Sequence, residues 1–130
     1  MPDLRPGPAG RPLRVAVIGV GHLGRHHARL LADMAGVDLV AVVDTAPGRA
    51  AEVAGIHGGE ALEDWREIRG RVDAVTIAVP TGSHTEIAVG CIDAGAAVLV
   101  EKPLASSVAD ATRIVDAAAL RGVVCAAGHS

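Results

Sequence analysis

The turn Gly19-Val20-Gly21-His22-Leu23-Gly24 constrains this chain more than any other stretch. An apolar run, Val15-Ala16-Val17-Ile18, enters it, a helix-period pattern leaves it, and a second apolar run from Val37 to Val43 ends on Asp44. Strand, glycine turn, helix, strand, acid is the order of a dinucleotide site. Each glycine has its own physical task. Gly19 permits the tight turn, Gly21 lets the main chain approach a pyrophosphate, and Gly24 lets helix and strand pack closely. The helix that opens at the turn aims unpaired N–H groups and the positive end of its dipole at the phosphates. Asp44 stands twenty positions past Gly24, where a carboxylate reaches the ribose hydroxyls. Glycine pairs alone mark many ordinary turns. The specificity here comes from the strand, helix and acid around them.

The rest of the chain repeats the same alternation. Residues 1–12 hold four of the seven prolines, with Gly7 and Gly10 between them, and read as a disordered tail. Residues 13–130 read as one dinucleotide-binding domain. A first strand is expected over Leu13–Gly19 and a helix over His22–Ala35, with Leu23, Leu30, Leu31 and Met34 on its buried face and Gly36 as its stop. A second strand spans Val37–Asp44. Pro47 suits the first position of a short helix running to Ala54, capped by Thr45. A third strand near Ile56–Ala61 is interrupted by Gly58 and Gly59. A short helix over Leu62–Arg69 uses Trp65 for packing. Then follow an apolar strand (Val72–Val79), a helix (Ser83–Ala94), a strand (Ala96–Val100), a helix (Ser106–Arg121) with Val108, Ala111, Val115 and Ala118 on one face, and a strand (Val123–Ala127). Nearly continuous apolar strands alternating with helices predict a Rossmann-type α/β fold. Its doubly wound parallel sheet has about six strands in the order 3-2-1-4-5-6, with helices on both faces. The carboxyl edge of that sheet collects Gly19–Gly24, Asp44, Val79-Pro80-Thr81, Glu101-Lys102-Pro103 and Gly128-His129.

Composition excludes several alternatives. Trp65 is the sole aromatic residue, so the core is built from Val, Ile, Leu and Ala. A net charge of −3 and the lack of a basic block argue against nucleic-acid and membrane-surface partners. Cys91 and Cys125, 34 positions apart, form neither a disulfide framework nor a CxxC pair; both read as small buried hydrophobes in a reduced, cytoplasmic protein. No apolar run approaches the roughly 18 residues of a membrane span, and the N-terminus lacks a signal peptide's apolar segment. His22 and His26 are four apart on a helix face, but no glutamate follows His22 as in HExxH and no third ligand is evident, so no metal is expected.

With these strand-end groups in place, the chain resembles the N-terminal NAD(P)-binding domain of the glucose-fructose oxidoreductase, inositol dehydrogenase and rhizopine-catabolism family (Gfo/Idh/MocA). The likeness covers about Leu13 to Ser130. It rests on the Gly19–Gly24 turn with His27, Ala78-Val79-Pro80-Thr81 with His84, Glu101-Lys102-Pro103-Leu104, and Gly128-His129. Members are NAD(P)-dependent oxidoreductases of sugars, cyclitols and nucleotide sugars. Their second half is an α/β domain that binds substrate, mediates oligomers and carries a catalytic His and Asp. The resemblance implies that this second domain is absent from the chain, leaving a part that binds coenzyme without turning over substrate. It also implies a homo-oligomer.

Position assigns Gly19, Gly21, His22, Leu23, Gly24, Asp44 and Thr45 to the coenzyme. The resemblance adds Val79, Pro80, Thr81 and His84, and sets Glu101 and Lys102 beside the nicotinamide, with a cis peptide before Pro103. Lys102 would hydrogen-bond the reacting oxygen of the substrate, and a lysine serves as base where burial and nearby positive charge lower its pKa. Glu101 either orients Lys102 or caps the turn. His27 is expected between helix and sheet, His84 as a helix-start structural residue, and His129 either in the site or at a frayed end. The Asp44 charge repels a 2′-phosphate and favours NAD over NADP; Arg49 reads as a helix-surface arginine, with contact to a 2′-phosphate as the alternative. Two other readings remain: a stand-alone nucleotide-binding or redox-sensing module, and an NADP-dependent reductase of a non-sugar substrate.

Overall fold

The computed structural model describes residues 11–102 and 104–128. In chain order it runs β1 (Leu13–Ile18), α1 (His22–Asp33), β2 (Val37–Val43), α2 (Arg49–His57), β3 (Glu60–Leu62), β4 (Ala74–Ile77), α3 (His84–Asp93), β5 (Ala97–Glu101), α4 (Val108–Arg121) and β6 (Cys125–Gly128). The strands form one sheet in the order β3-β2-β1-β4-β5-β6, every neighbouring pair parallel. This is the doubly wound α/β order expected from the alternation. Reversal of direction at β1 and β4 opens a crevice where their carboxyl ends diverge, and ligands of such sheets bind there.

Alternate residues of the strands build the core on each side of the sheet. On one face Ala16, Ile18, Val75, Ile77, Val98 and Val100 pack against Ile87 and Cys91 of α3 and Ile114 of α4. On the other, Val15, Val17 and Ala74 pack against Ala28 and Leu31 of α1 and Ala50 and Val53 of α2. The register between β1 and β2 shifts after Val15, which leaves Val40 as an extra residue on β2. That bulge resets the alternation, so Leu39 joins Val42 on the α1 face while Ala41 and Val43 face α3. Burial pushes the Cys91 thiol up to about 12, with a small opposing effect from Arg69, and raises Cys125 as well. Both cysteines are free.

Several local expectations shift. Leu30 is 46% exposed, and α1 buries Gly24, Ala28 and Leu31. Val108 and Val115 of α4 are also exposed, because the helix buries Ile114 and Ala118. Its Ser107 accepts the Asp110 amide at 3.1 Å as the cap. The second helix starts at Arg49, past Gly48 at φ +80, rather than at Pro47, and runs on to His57. The third strand therefore begins only at Glu60. The helix expected over Leu62–Arg69 is a single 3-10 turn, Trp65–Ile68, capped by Asp64, whose Oδ1 accepts the Arg66 amide at 2.9 Å. Trp65 packs as expected, over Gly90 of α3, where any Cβ would overlap the indole ring.

Residues 1–10 of the expected tail lie outside the described residues, and Arg11 is pinned. Its Nη1 lies 3.0 Å from Asp73 Oδ2, and the Arg14 amide donates to the same oxygen at 2.9 Å. Asp73 directly precedes β4, so this clamp fixes the start of β1 against β4. Burial alone would raise the Asp73 carboxyl, but the hydrogen bonds from Arg11 and Arg14 prevail and hold it well below the usual carboxylate range.

Candidate functional site

The glycine turn is held from both neighbouring strands. The Gly19 amide donates to Val43 of β2 at 2.7 Å, and the Ala78 amide, just past β4, donates to Ile18 at 2.8 Å. Gly19 has φ +90, and a Cβ on it would stand 2.7 Å from the Ala78 carbonyl oxygen. A Cβ at Gly24 would overlap the Gly19 carbonyl. Gly21 differs from both: a Cβ there meets nothing within 4 Å. The missing side chain at Gly19 and Gly24 is a packing demand, whereas at Gly21 it keeps open space in front of the main chain. Gly21 also precedes α1, which has no capping side chain and no acid in its first turn. The first N–H groups of that helix thus face the opening with no carboxylate competing for them. This cradle fits a coenzyme diphosphate.

Beside it lies a cleft of about 400 Å³ whose wall includes Gly19, Gly21, Asp44, Thr45, Val79 and Pro80. These are six of the positions assigned from the sequence, brought together from the ends of β1, β2 and β4. Arg49 is there too, and Glu63 and Trp65 join the wall. Nothing in their spacing marked Glu63 or Trp65, since the loop after β3 reaches the crevice only through the sheet order.

Asp44 is more occupied than a free ribose acceptor. Its Oδ2 accepts the Val20 amide at 3.0 Å and its Oδ1 the Ala46 amide at 2.8 Å, so the carboxylate joins the glycine turn to the end of β2. A carboxylate offers about four lone-pair sites, which leaves two for ribose hydroxyls. Arg49 Nη1 stands 3.7 Å from Oδ2. Thr45 is exposed and caps nothing; Asp44 makes the bond to Ala46 instead.

His84, expected at the coenzyme, is the first residue of α3 and lies inside the protein. It is 1% exposed, with Nε2 2.7 Å from the Val79 carbonyl and Nδ1 3.3 Å from that of Leu104. It braces the segments after β4 and β5 from within, in keeping with a structural residue at the helix start. Glu101 is likewise buried, and its Oε1 lies 2.8 Å from Nε2 of His27 beneath α1. Its Oε1 is thus turned toward α1, one residue before Lys102. Lys102 is exposed immediately past β5, at the carboxyl edge. His22 is exposed and Leu23 half-buried at the start of α1. Thr81 begins a 3-10 turn, Thr81–Ser83, after Pro80. The peptide at Pro103 and residue His129 lie outside the described residues. The Nδ1 of His26 contacts Arg29 Nη2 at 2.9 Å. Among the described residues no three His, Cys, Asp or Glu side chains converge as metal ligands.

The family described as "Oxidoreductase family, NAD-binding Rossmann fold" (GFO_IDH_MocA) matches residues 13–129. The chain is 38% identical over 121 residues to 4-carboxy-2-hydroxymuconate-6-semialdehyde dehydrogenase of Sphingobium sp., covering 91% of this chain and 38% of that protein. It is 42% identical over 113 residues to inositol 2-dehydrogenase 3 of Saccharopolyspora erythraea, covering 85% and 33%. The solved structure of UDP-N-acetylglucosamine 3-dehydrogenase GnnA from Acidithiobacillus ferrooxidans superposes with a TM-score of 0.84 at 38% identity, covering 89% of this chain and 38% of that one. The chain thus spans about a third of the length of the curated relatives it matches.

Proposed function

Because this chain belongs to the GFO_IDH_MocA family of oxidoreductases with an NAD-binding Rossmann fold, we propose that it is the coenzyme-holding part of a dehydrogenase. That enzyme moves a hydride between NAD and the hydroxyl-bearing carbon of a sugar, cyclitol or nucleotide sugar. The observation that carries the reading is the cradle at Gly21, open in front of the uncapped start of α1 and walled by Asp44. In this role the main-chain amides of α1 hold the diphosphate, and the two spare lone pairs of Asp44 take the ribose hydroxyls. NAD, when bound, supplies the hydride acceptor. Lys102, exposed at the strand-end edge, exchanges a proton with the reacting oxygen, and Thr81 borders the coenzyme beside Val79 and Pro80. Relatives acting on inositol and on a UDP-sugar support this substrate class. Substrate binding is assigned to the length of the relatives that this chain does not span. No helix among the described residues is long and apolar enough to cross a membrane. A cytoplasmic homo-oligomer with no nucleic-acid partner completes the proposal.

Titration of the chain with NADH and NADPH tests it. NADH is expected to bind more tightly, and NAD with myo-inositol or a UDP-sugar to give no turnover by this chain alone. Arg49, 3.7 Å from Asp44 and on the cleft wall, supports a second reading in which a 2′-phosphate is accepted. Tighter binding of NADPH by the wild type, lost in Arg49→Ala, would establish that reading and remove the first.

A further inference from the structure

One buried pair contributes to none of the steps above. His27 lies on the second turn of α1, and its Nε2 is 2.8 Å from Oε1 of Glu101, the last residue of β5. Their side chains are 14% and 9% exposed. In the sheet β4 stands between β1 and β5. The pair therefore crosses β4, joining the helix that opens at the glycine turn to the strand that delivers Lys102.

The protonation of the ring follows from its surroundings. An ionised carboxylate only accepts, so Nε2 carries the proton. Nδ1 is buried with no hydrogen-bond partner among the described residues, and a second proton there would be an unsatisfied buried donor. Burial lowers the His27 pKa, the Glu101 charge opposes that, and His26 adds to it. His27 is thus a neutral, single-proton donor committed to Glu101. Without it the Glu101 carboxylate would be left buried and unpaired, a strongly unfavourable state.

We propose that His27 is a positioning residue for the nicotinamide end of the coenzyme site: its Nε2–H bond fixes Glu101 under α1, and with it the point at which Lys102 leaves β5. The inference rests on the strand edge being a coenzyme site.

The test compares NADH with ADP-ribose, which lacks the nicotinamide. His27→Leu keeps the bulk and removes the donor. It is expected to weaken NADH binding by about tenfold while ADP-ribose affinity stays within about twofold. His27→Gln, whose amide can reach and donate to Glu101, should recover NADH binding to within about threefold of wild type. The ring nitrogen shifts of wild-type His27 should report the neutral Nε2–H form at pH 7. If the leucine variant does not fold, His27→Asn, one methylene too short, takes its place against the glutamine variant. Equal loss for both ligands, no loss for either, or no rescue by glutamine would overturn the proposal and leave the coenzyme site standing. Wild type that binds NADH no better than ADP-ribose would show that no nicotinamide contact exists to be positioned and would overturn the proposal, whereas wild type that binds neither ligand would remove the coenzyme site itself.

Discussion

Gly21 and Gly24 sit three positions apart in one turn, yet they answer to different constraints. At Gly24 a methyl group overlaps the Gly19 carbonyl. Gly24→Ala is therefore expected to cost about 2–4 kcal/mol, since backbone must move to admit it. At Gly21, with φ −69 and open space ahead, a Cβ meets no other atom of the fold. Gly21→Val should keep the wild-type melting temperature and still weaken NADH binding by more than about tenfold, because its side chain occupies the diphosphate space. Thermal melts and NADH titrations of the two variants check both outcomes. His27 adds a pH dependence. Its native pKa is lowered, by burial first, while Glu101 opposes and His26 assists. In the unfolded chain the ring protonates below about pH 6.5, so from there down to the lower native pKa the unfolded state binds more protons. Stability then falls as pH drops through that window. Denaturant melts of wild type should show this loss, and His27→Gln should flatten it.

At the scale of elements, the clamp of Arg11 and Arg14 on Asp73 fixes β1 against β4, the two strands that bound the crevice. The Asp73 carboxyl is held low because those hydrogen bonds outweigh burial. Its contribution is complete above the ordinary carboxyl pKa of about 4 and is lost as pH falls toward the depressed native value. Asp73→Asn should therefore destabilise the chain at pH 7 and shrink the acid-induced loss below about pH 4. A second element-scale prediction concerns β4. Thr76 is 6% exposed, and its hydroxyl has no partner among the described residues. Thr76→Val replaces that hydroxyl with a methyl of similar shape and is expected to be neutral or to stabilise by about 1 kcal/mol in denaturant melts. The start of α4, expected at Ser106, lies at Val108 after the Ser107 cap, a shift of two residues, and its buried side was not legible. Val108-Ala111-Val115-Ala118 and Ala111-Ile114-Ala118 are both good helical stripes in a sequence this rich in alanine and valine. Contact with α3 selects the second.

For the molecule as a whole, the sheet order is what makes a site. Glycine turn, Asp44 and Val79-Pro80 are far apart in the chain and meet because β2, β1 and β4 are neighbours. The same architecture leaves Leu30 at 46% and Val124 at 55% exposure, and a cleft of about 290 Å³ between α1 and the β4–β5 face that includes Leu30, Leu31, Met34 and Leu99. Apolar surface of this kind favours association. Sedimentation of the chain should show self-association that rises with concentration and is reduced by Leu30→Glu; a monomer at high concentration would count against it.

By itself the sequence determined the alternation, the strand order and the coenzyme turn, because glycine placement, apolar runs and the distance to Asp44 are local or periodic quantities. It also placed His27 between helix and sheet. Only the tertiary structure decided which side chains share a face or a partner. The β2 run Val37–Val43 is apolar nearly throughout, so no alternation in it reveals the bulge at Val40 that sends Leu39 and Ala41 to opposite sides. Glu101 adjoins Lys102 in the chain and yet turns beneath α1 to His27, while His84 turns inward to Val79 and Leu104. A polar residue at a strand end faces the crevice or the core according to the partner that packing brings within hydrogen-bond reach, and that partner lies 74 positions away for Glu101 and 20 for the Leu104 contact of His84.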